Sequence, residues 1–193
     1  MKIDVLTIFP EFFREVFDFG IIRRAKLAEI VEINIHDIRE FTLDKHRKVD
    51  DRPYGGGDGM VLMCEPIFRV IENLIGTAKR ENYPNSTRIV LLTPQGKPLK
   101  QDVAKEFATE ANHIILICGR YEGVDERVEV GLYVWSFHSS RGVKLPLVQL
   151  KQSQAMAQRS EFLSSNLPRL RREALTHQFI NVAFQLLQLR NGH

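Results

Sequence analysis

The sequence predicts an α/β domain, a mostly parallel sheet with helices on both faces. Short, continuous apolar runs such as Ile89 to Leu92 and Ile114 to Ile117 read as strands buried on both sides. Between these two lies Asp102 to Glu110, which has helical composition. Strand, helix and strand in that order suit a parallel pair with a covering helix.

Lys2 to Phe9 is apolar and β-branched, a buried strand that stops at Pro10. Proline suits a helix start, and Phe12, Phe13, Val16 and Phe17 follow at helical spacing. Gly20 ends or bends that segment, Ile21 to Ile30 is a further short helix, and Val31 to Ile38 is a second strand. Arg39 to Gly59 reads as one long, polar, glycine-rich connection, a length that compact domains tolerate mainly for function. Glu65 to Ala78 is a helix with Ile67, Val70, Ile71, Leu74 and Ile75 on one stripe. No internal repeat is visible.

With 193 residues, 44% hydrophobic and 26% charged, the chain suits one globular domain, or one plus a small appendage. No signal-peptide pattern opens it and no apolar run approaches ~20 residues, so a cytoplasmic protein with no membrane span is expected. Cys64 and Cys118 are too few and too far apart for a disulfide framework or a metal site, and no metal is expected. Charge is uneven. Residues 1–133 carry 19 Lys/Arg against 22 Asp/Glu, whereas 134–193 carry 8 against 2, with seven of the nine glutamines and no aspartate. Such a break marks two regions, 1–133 and a basic Gln/Ser-rich tail at 134–193.

Asp50 to Met60 reads Asp-Asp-Arg-Pro-Tyr-Gly-Gly-Gly-Asp-Gly-Met. Four glycines in five positions exclude core, helix and ordinary strand, and favour a loop that hugs a flat or anionic ligand. A flexible surface loop is the alternative. It is not a Walker loop, lacking the Lys-Ser/Thr pair, nor the dinucleotide Gly-x-Gly-x-x-Gly fingerprint. Thr93-Pro94-Gln95-Gly96 and Cys118-Gly119-Arg120 each follow a buried strand, and ligands of parallel sheets sit beyond the strands' carboxyl ends. The two loops are expected at one site, although the first also suits an ordinary turn.

Taken together, Ile8 to Phe13, Arg39 to Phe41, His46-Arg47, the glycine run, Leu92 to Lys97 and Cys118 to Arg127 resemble the bacterial tRNA (guanine-N1)-methyltransferases of the knotted SPOUT superfamily. The resemblance covers about residues 1–133 in collinear order. It implies a SPOUT-like fold, S-adenosylmethionine as methyl donor, tRNA as acceptor, the guanine beside the anticodon as target, and a homodimer sharing the site. It places Leu92, Thr93, Pro94, Gly96, Gly119, Tyr121 and Glu122 in the donor pocket. His46, Arg47, Asp50, Arg52, Tyr54, Gly55, Gly56 and Gly57 would then face the tRNA. A carboxylate complements the N1–H and N2–H face of guanine, and Asp50 is the candidate for that contact. Asp50 and Glu122 are the candidate contributors to catalysis.

After about Val128 the resemblance fails. The family's later serine- and glycine-rich element, which closes the donor pocket and completes the trefoil knot, has only an early echo at Val130 to Val134. An incomplete knot is therefore expected. The family's general base is an aspartate in a helical carboxy-terminal domain, and no aspartate follows Asp125 here. Two accounts of the tail stand side by side: a shifted reading frame from about residue 135, or a divergent tail binding RNA through Arg169, Arg171 and Arg172. A catalytically dead RNA-binding or dimerising remnant is the alternative function, and a product unable to fold fully is a third.

Overall fold

The computed structural model describes residues 1–56, 58–132 and 134–139. Its elements are β1 (Lys2–Thr7), α1 (Pro10–Val16), α2 (Gly20–Leu27), β2 (Glu32–Asp37), β3 (Asp50–Asp51), β4 (Val61–Leu62), α3 (Cys64–Ile75), β5 (Thr87–Leu99), α4 (Gln101–Glu110), β6 (His113–Cys118), α5 (Arg127–Leu132) and β7 (Trp135–Ser139). Five strands form one sheet in the order β2-β1-β6-β5-β7, every neighbouring pair parallel.

Apolar residues on alternate faces explain why the strands read as unbroken hydrophobic runs. Ile3, Val5, Val90, Leu92, Ile114 and Leu116 point into a core shared with Phe13 and Phe17, Ile22 and Ala25 of α2, and Phe107 of α4. Leu6, Ile89, Leu91, Ile115 and Ile117 point into a second core with Ile67, Val70 and Ile71 of α3 and Val128 and Leu132 of α5. Both faces are covered, as parallel sheets require.

Asp4 breaks the apolar pattern of β1 and is fully buried. Its carboxylate meets His36 Nε2 of β2 at 2.8 Å, His113 Nε2 of β6 at 2.5 Å and Lys2 Nζ at 3.2 Å. One charge thus joins three adjacent strands. Burial alone would raise its pKa, but the hydrogen bonds from His113, His36 and Lys2 prevail and hold it well below the usual carboxylate range.

Several boundaries differ from the sequence expectation for local reasons. The helix expected to reach Ala78 ends at Ile75, because Gly76 takes a left-handed φ of 82° and its N–H bonds the Glu72 carbonyl. The second helix stops at Leu27, and Glu29 at φ 55° turns the chain into β2. Arg39 to Gly59 is not one irregular loop. A 3₁₀ turn occupies Ile38–Phe41, and Asp50–Asp51 pairs antiparallel with Val61–Leu62, so the glycine run is the tip of a hairpin. The turn expected at residues 93–96 lies within a longer strand. Both Leu92 and Lys97 pair with Phe137, so 93–96 bulge out of the ladder and β5 continues to Leu99. Val130 to Leu132 is helix, and Trp135–Ser139, past the compositional break, is a sheet strand. The expectations for the knot and for the arginines of the tail lie outside the described residues.

Candidate active site

The ladder between β5 and β6 ends at the pair Leu92 and Cys118. Segments 93–96 and 119–122 therefore leave the sheet side by side at its carboxyl edge. A Cβ added to Gly119 would lie 3.3 Å from Val124 Cγ2 and 3.8 Å from the Leu92 carbonyl oxygen. The bulge is shaped locally, with Thr93 Oγ1 accepting from the Gln95 N–H. Gly96 faces the other way: an added Cβ would sit 2.5 Å from the backbone of Ser136 and Phe137. Its missing side chain is what lets β7 pass.

The glycine-rich hairpin is joined to the segment after β6 by main-chain bonds. Glu122 N–H donates to Met60 O at 3.0 Å, Leu62 N–H to Gly123 O at 3.1 Å, and Asp125 N–H to Leu62 O at 2.9 Å. Tyr121 at φ 62° and Gly123 at φ 142° supply the turn that makes this pairing. A left-handed tyrosine is uncommon and costs energy that the surrounding bonds must offset. The two segments singled out in the sequence are thus one structure. Asp125 anchors its far end, receiving the Arg127 backbone N–H and guanidinium, and that guanidinium holds the Asp125 carboxyl below its ordinary pKa.

A basic rim adjoins the loop that follows β6. The guanidinium carbons of Arg39 and Arg120 lie 5.8 and 5.3 Å from the ring centre of Phe9. Arg39 also donates to the Ile8 carbonyl, and Arg47 lies 3.6 Å from Asp37. Asp44 shapes the loop that carries His46 and Arg47 by accepting the backbone N–H groups of His46 and Lys48, at 2.7 and 3.1 Å. Those contacts, the Lys48 amide foremost, lower its pKa.

The sequence-predicted residues fall on this edge in two groups. Leu92 is buried, Thr93 half-buried, and Gly119, Tyr121 and Glu122 follow β6, with Pro94 in the bulge. On the hairpin side, His46, Arg47, Arg52 and Tyr54 are exposed and Asp50 is half-buried. Gly55 and Gly56 have φ of 91° and 85°, with no atom within 4 Å of an added Cβ. Glycine is needed there for the backbone turn and leaves an open surface; Gly57 lies outside the described residues. Sequence reasoning gave no role to Phe9, Arg39, Arg120 or Gly59, although each stands in a motif it had noticed. Burial pushes the Cys64 thiol up to about 11 and Cys118 further, which suits buried structural thiols. Among the described residues no group of three or more His, Cys, Asp or Glu is placed to hold a metal ion.

A family model described as tRNA (Guanine-1)-methyltransferase TrmD matches residues 1–137. The chain belongs to this family. Similar curated relatives are the tRNA (guanine-N(1)-)-methyltransferases of Dictyoglomus turgidum, 49% identical over 129 residues, and of Koribacter versatilis, 53% identical over 130. These alignments cover 67% and 66% of this chain but 49% and 47% of the relatives, so the chain spans about half their length. The crystal structure of the tRNA (m1G37) methyltransferase from Aquifex aeolicus is similar with a TM-score of 0.60 and 36% identity, over 72% of this chain and 59% of that one. The TrmD match takes in both loops, the glycine-rich hairpin, the basic rim and the first residues of β7.

Proposed function

We propose that this chain transfers a methyl group from S-adenosylmethionine to N1 of the guanine beside the anticodon of tRNA, as a cytoplasmic homodimer. The carrying observation is the main-chain junction between residues 60–62 and 122–125, which brings the donor-side and RNA-side motifs into one structure. The donor carries an electrophilic methyl on a sulfonium; guanine N1 attacks it, the carbon–sulfur bond breaks, and the N1 proton passes to a base. Leu92, Thr93, Pro94, Gly96 and Gly119 would hold the donor largely through backbone, with Tyr121 and Glu122 beside it. His46, Arg47, Arg52, Tyr54 and the glycines 55–57 would take the anticodon loop, arginine suiting phosphate and guanine edges. Asp50 would contact the guanine, and Glu122 would act electrostatically on the donor or the guanine. In this reading residues 1–133 form the donor and tRNA domain, β7 at Trp135–Ser139 extends its sheet, and the rest of 134–193 is a basic Gln/Ser-rich tail.

Methyl transfer to an anticodon stem-loop, read by mass spectrometry, tests this. Slow product at guanine N1, absent when that guanine is replaced by adenine, is expected. A methyl group at another atom, or donor that never binds, contradicts it. A second reading, RNA binding without methylation, is favoured by one observation: residues 126–193 hold no aspartate to serve as base. Tight RNA binding without donor binding would select it.

A further inference from the structure

Gly59 stands at the contact between the two halves of the site. Its φ is 98°, and a Cβ built on it would lie 2.5 Å from Glu122 Cγ and 3.3 Å from Cδ and Oε1. Cγ is close to the main chain, so it cannot yield without a turn about χ1 or a shift of backbone. That backbone is itself fixed, through Glu122 N–H to Met60 O and Leu62 N–H to Gly123 O. The position differs from Gly55 and Gly56, where an added Cβ meets nothing within 4 Å.

We propose that Gly59 is a positioning residue, whose bare Cα seats the Glu122 side chain against the glycine-rich hairpin. The RNA-facing hairpin and the donor loop then act as one unit, and order imposed on one is felt by the other. This rests on the proposed function for the meaning of the two halves, but the contact itself does not. By linkage, RNA that orders the hairpin raises donor affinity through this seat, and donor raises RNA affinity by the same factor.

A double-mutant cycle in the full chain separates the contact from backbone strain. Alanine at position 59 suffers the same left-handed strain in either background, while Glu122→Ala removes the atoms it would strike. In the Glu122 background, Gly59→Ala is expected to speed amide hydrogen exchange at Glu122 about tenfold, within the range of coupling between touching residues. In the Glu122→Ala background the same substitution keeps only the strain, and its effect should be severalfold smaller. Equal effects in both backgrounds would overturn the proposal and leave only strain. Where S-adenosylmethionine binds, the factor by which an anticodon stem-loop RNA changes its Kd should fall toward unity in Gly59→Ala. A factor unchanged there would also overturn the proposal. Failure of the wild-type chain to bind the donor would contradict the proposed function, while the exchange cycle still decides the role of Gly59.

Discussion

Single atoms decide what can be changed at this site. Gly119→Val would add a branched side chain where one Cβ already comes within 3.3 Å of Val124. The overpacking would displace the loop proposed to hold the donor, and a loss of about 1–3 kcal/mol there corresponds to S-adenosylmethionine affinity, by calorimetry, lower by about tenfold or more. Unchanged affinity with an intact fold would remove Gly119 from the site. Gly96→Ala tests the opposite side of the bulge. Its Cβ would strike main chain rather than a yielding side chain, and β7 must move away from β5. The urea midpoint should fall by the equivalent of about 1–3 kcal/mol; no change would show that β7 is not held as described. Asp4 gives a pH signature. Because its folded pKa lies below the unfolded value of 3.8, its stabilisation is complete above that value and is lost as pH falls through the folded pKa. Asp4→Asn leaves His36, His113 and Lys2 around a neutral group and should cost about 3 kcal/mol at pH 6. The gap between variant and parent in urea should narrow below about pH 4; a gap independent of pH would contradict the ion-pair account.

Elements were legible where local chemistry acts alone. Strands β1, β5 and β6 show as apolar runs because both faces are buried, and Pro10 marks the start of α1. The end of α3 was missed because the apolar stripe runs on to Ile75 and the stop is a single left-handed glycine. Gly76→Ala should therefore cost about 1 kcal/mol, read as a urea-midpoint shift, although nothing crowds an added Cβ there. A neutral effect would mean that the cap is not left-handed. The bulge in β5 and the short hairpin strands β3 and β4 were illegible for a different reason. Each depends on a partner far along the chain: Phe137 for the bulge, and Gly123 and Asp125 for the strand at Leu62. Residues 119–122 were readable as a loop because they follow β6, whereas 93–96 form a bulge inside β5. Gly59 was not, since its role lies in one contact with Glu122.

At the scale of the molecule, the family match ends at residue 137 while curated relatives run to about twice the matched length. The loop after β6 and the glycine-rich hairpin lie within the match, and the aspartate that the family resemblance names as base has no counterpart in residues 126–193. Loss of a positioned base typically costs ~10²–10⁴-fold, so methyl transfer by this chain should fall short of a full-length relative by about that factor. Comparable rates would show that the tail supplies a replacement, with Glu161 and Glu173 the first residues to test. Reading the gene's nucleotides in all three frames separates the two accounts of the tail. A family-like carboxy-terminal sequence in another frame supports the shift, and its absence supports a divergent tail. The most direct test of the central claim, that residues 92–96 and 119–122 form a donor site, is isothermal titration of this chain with S-adenosylmethionine. Saturable heat whose affinity falls about tenfold or more in a folded Gly119→Val variant is the predicted result. No heat from the folded parent chain, or heat that Gly119→Val leaves unchanged, would contradict it.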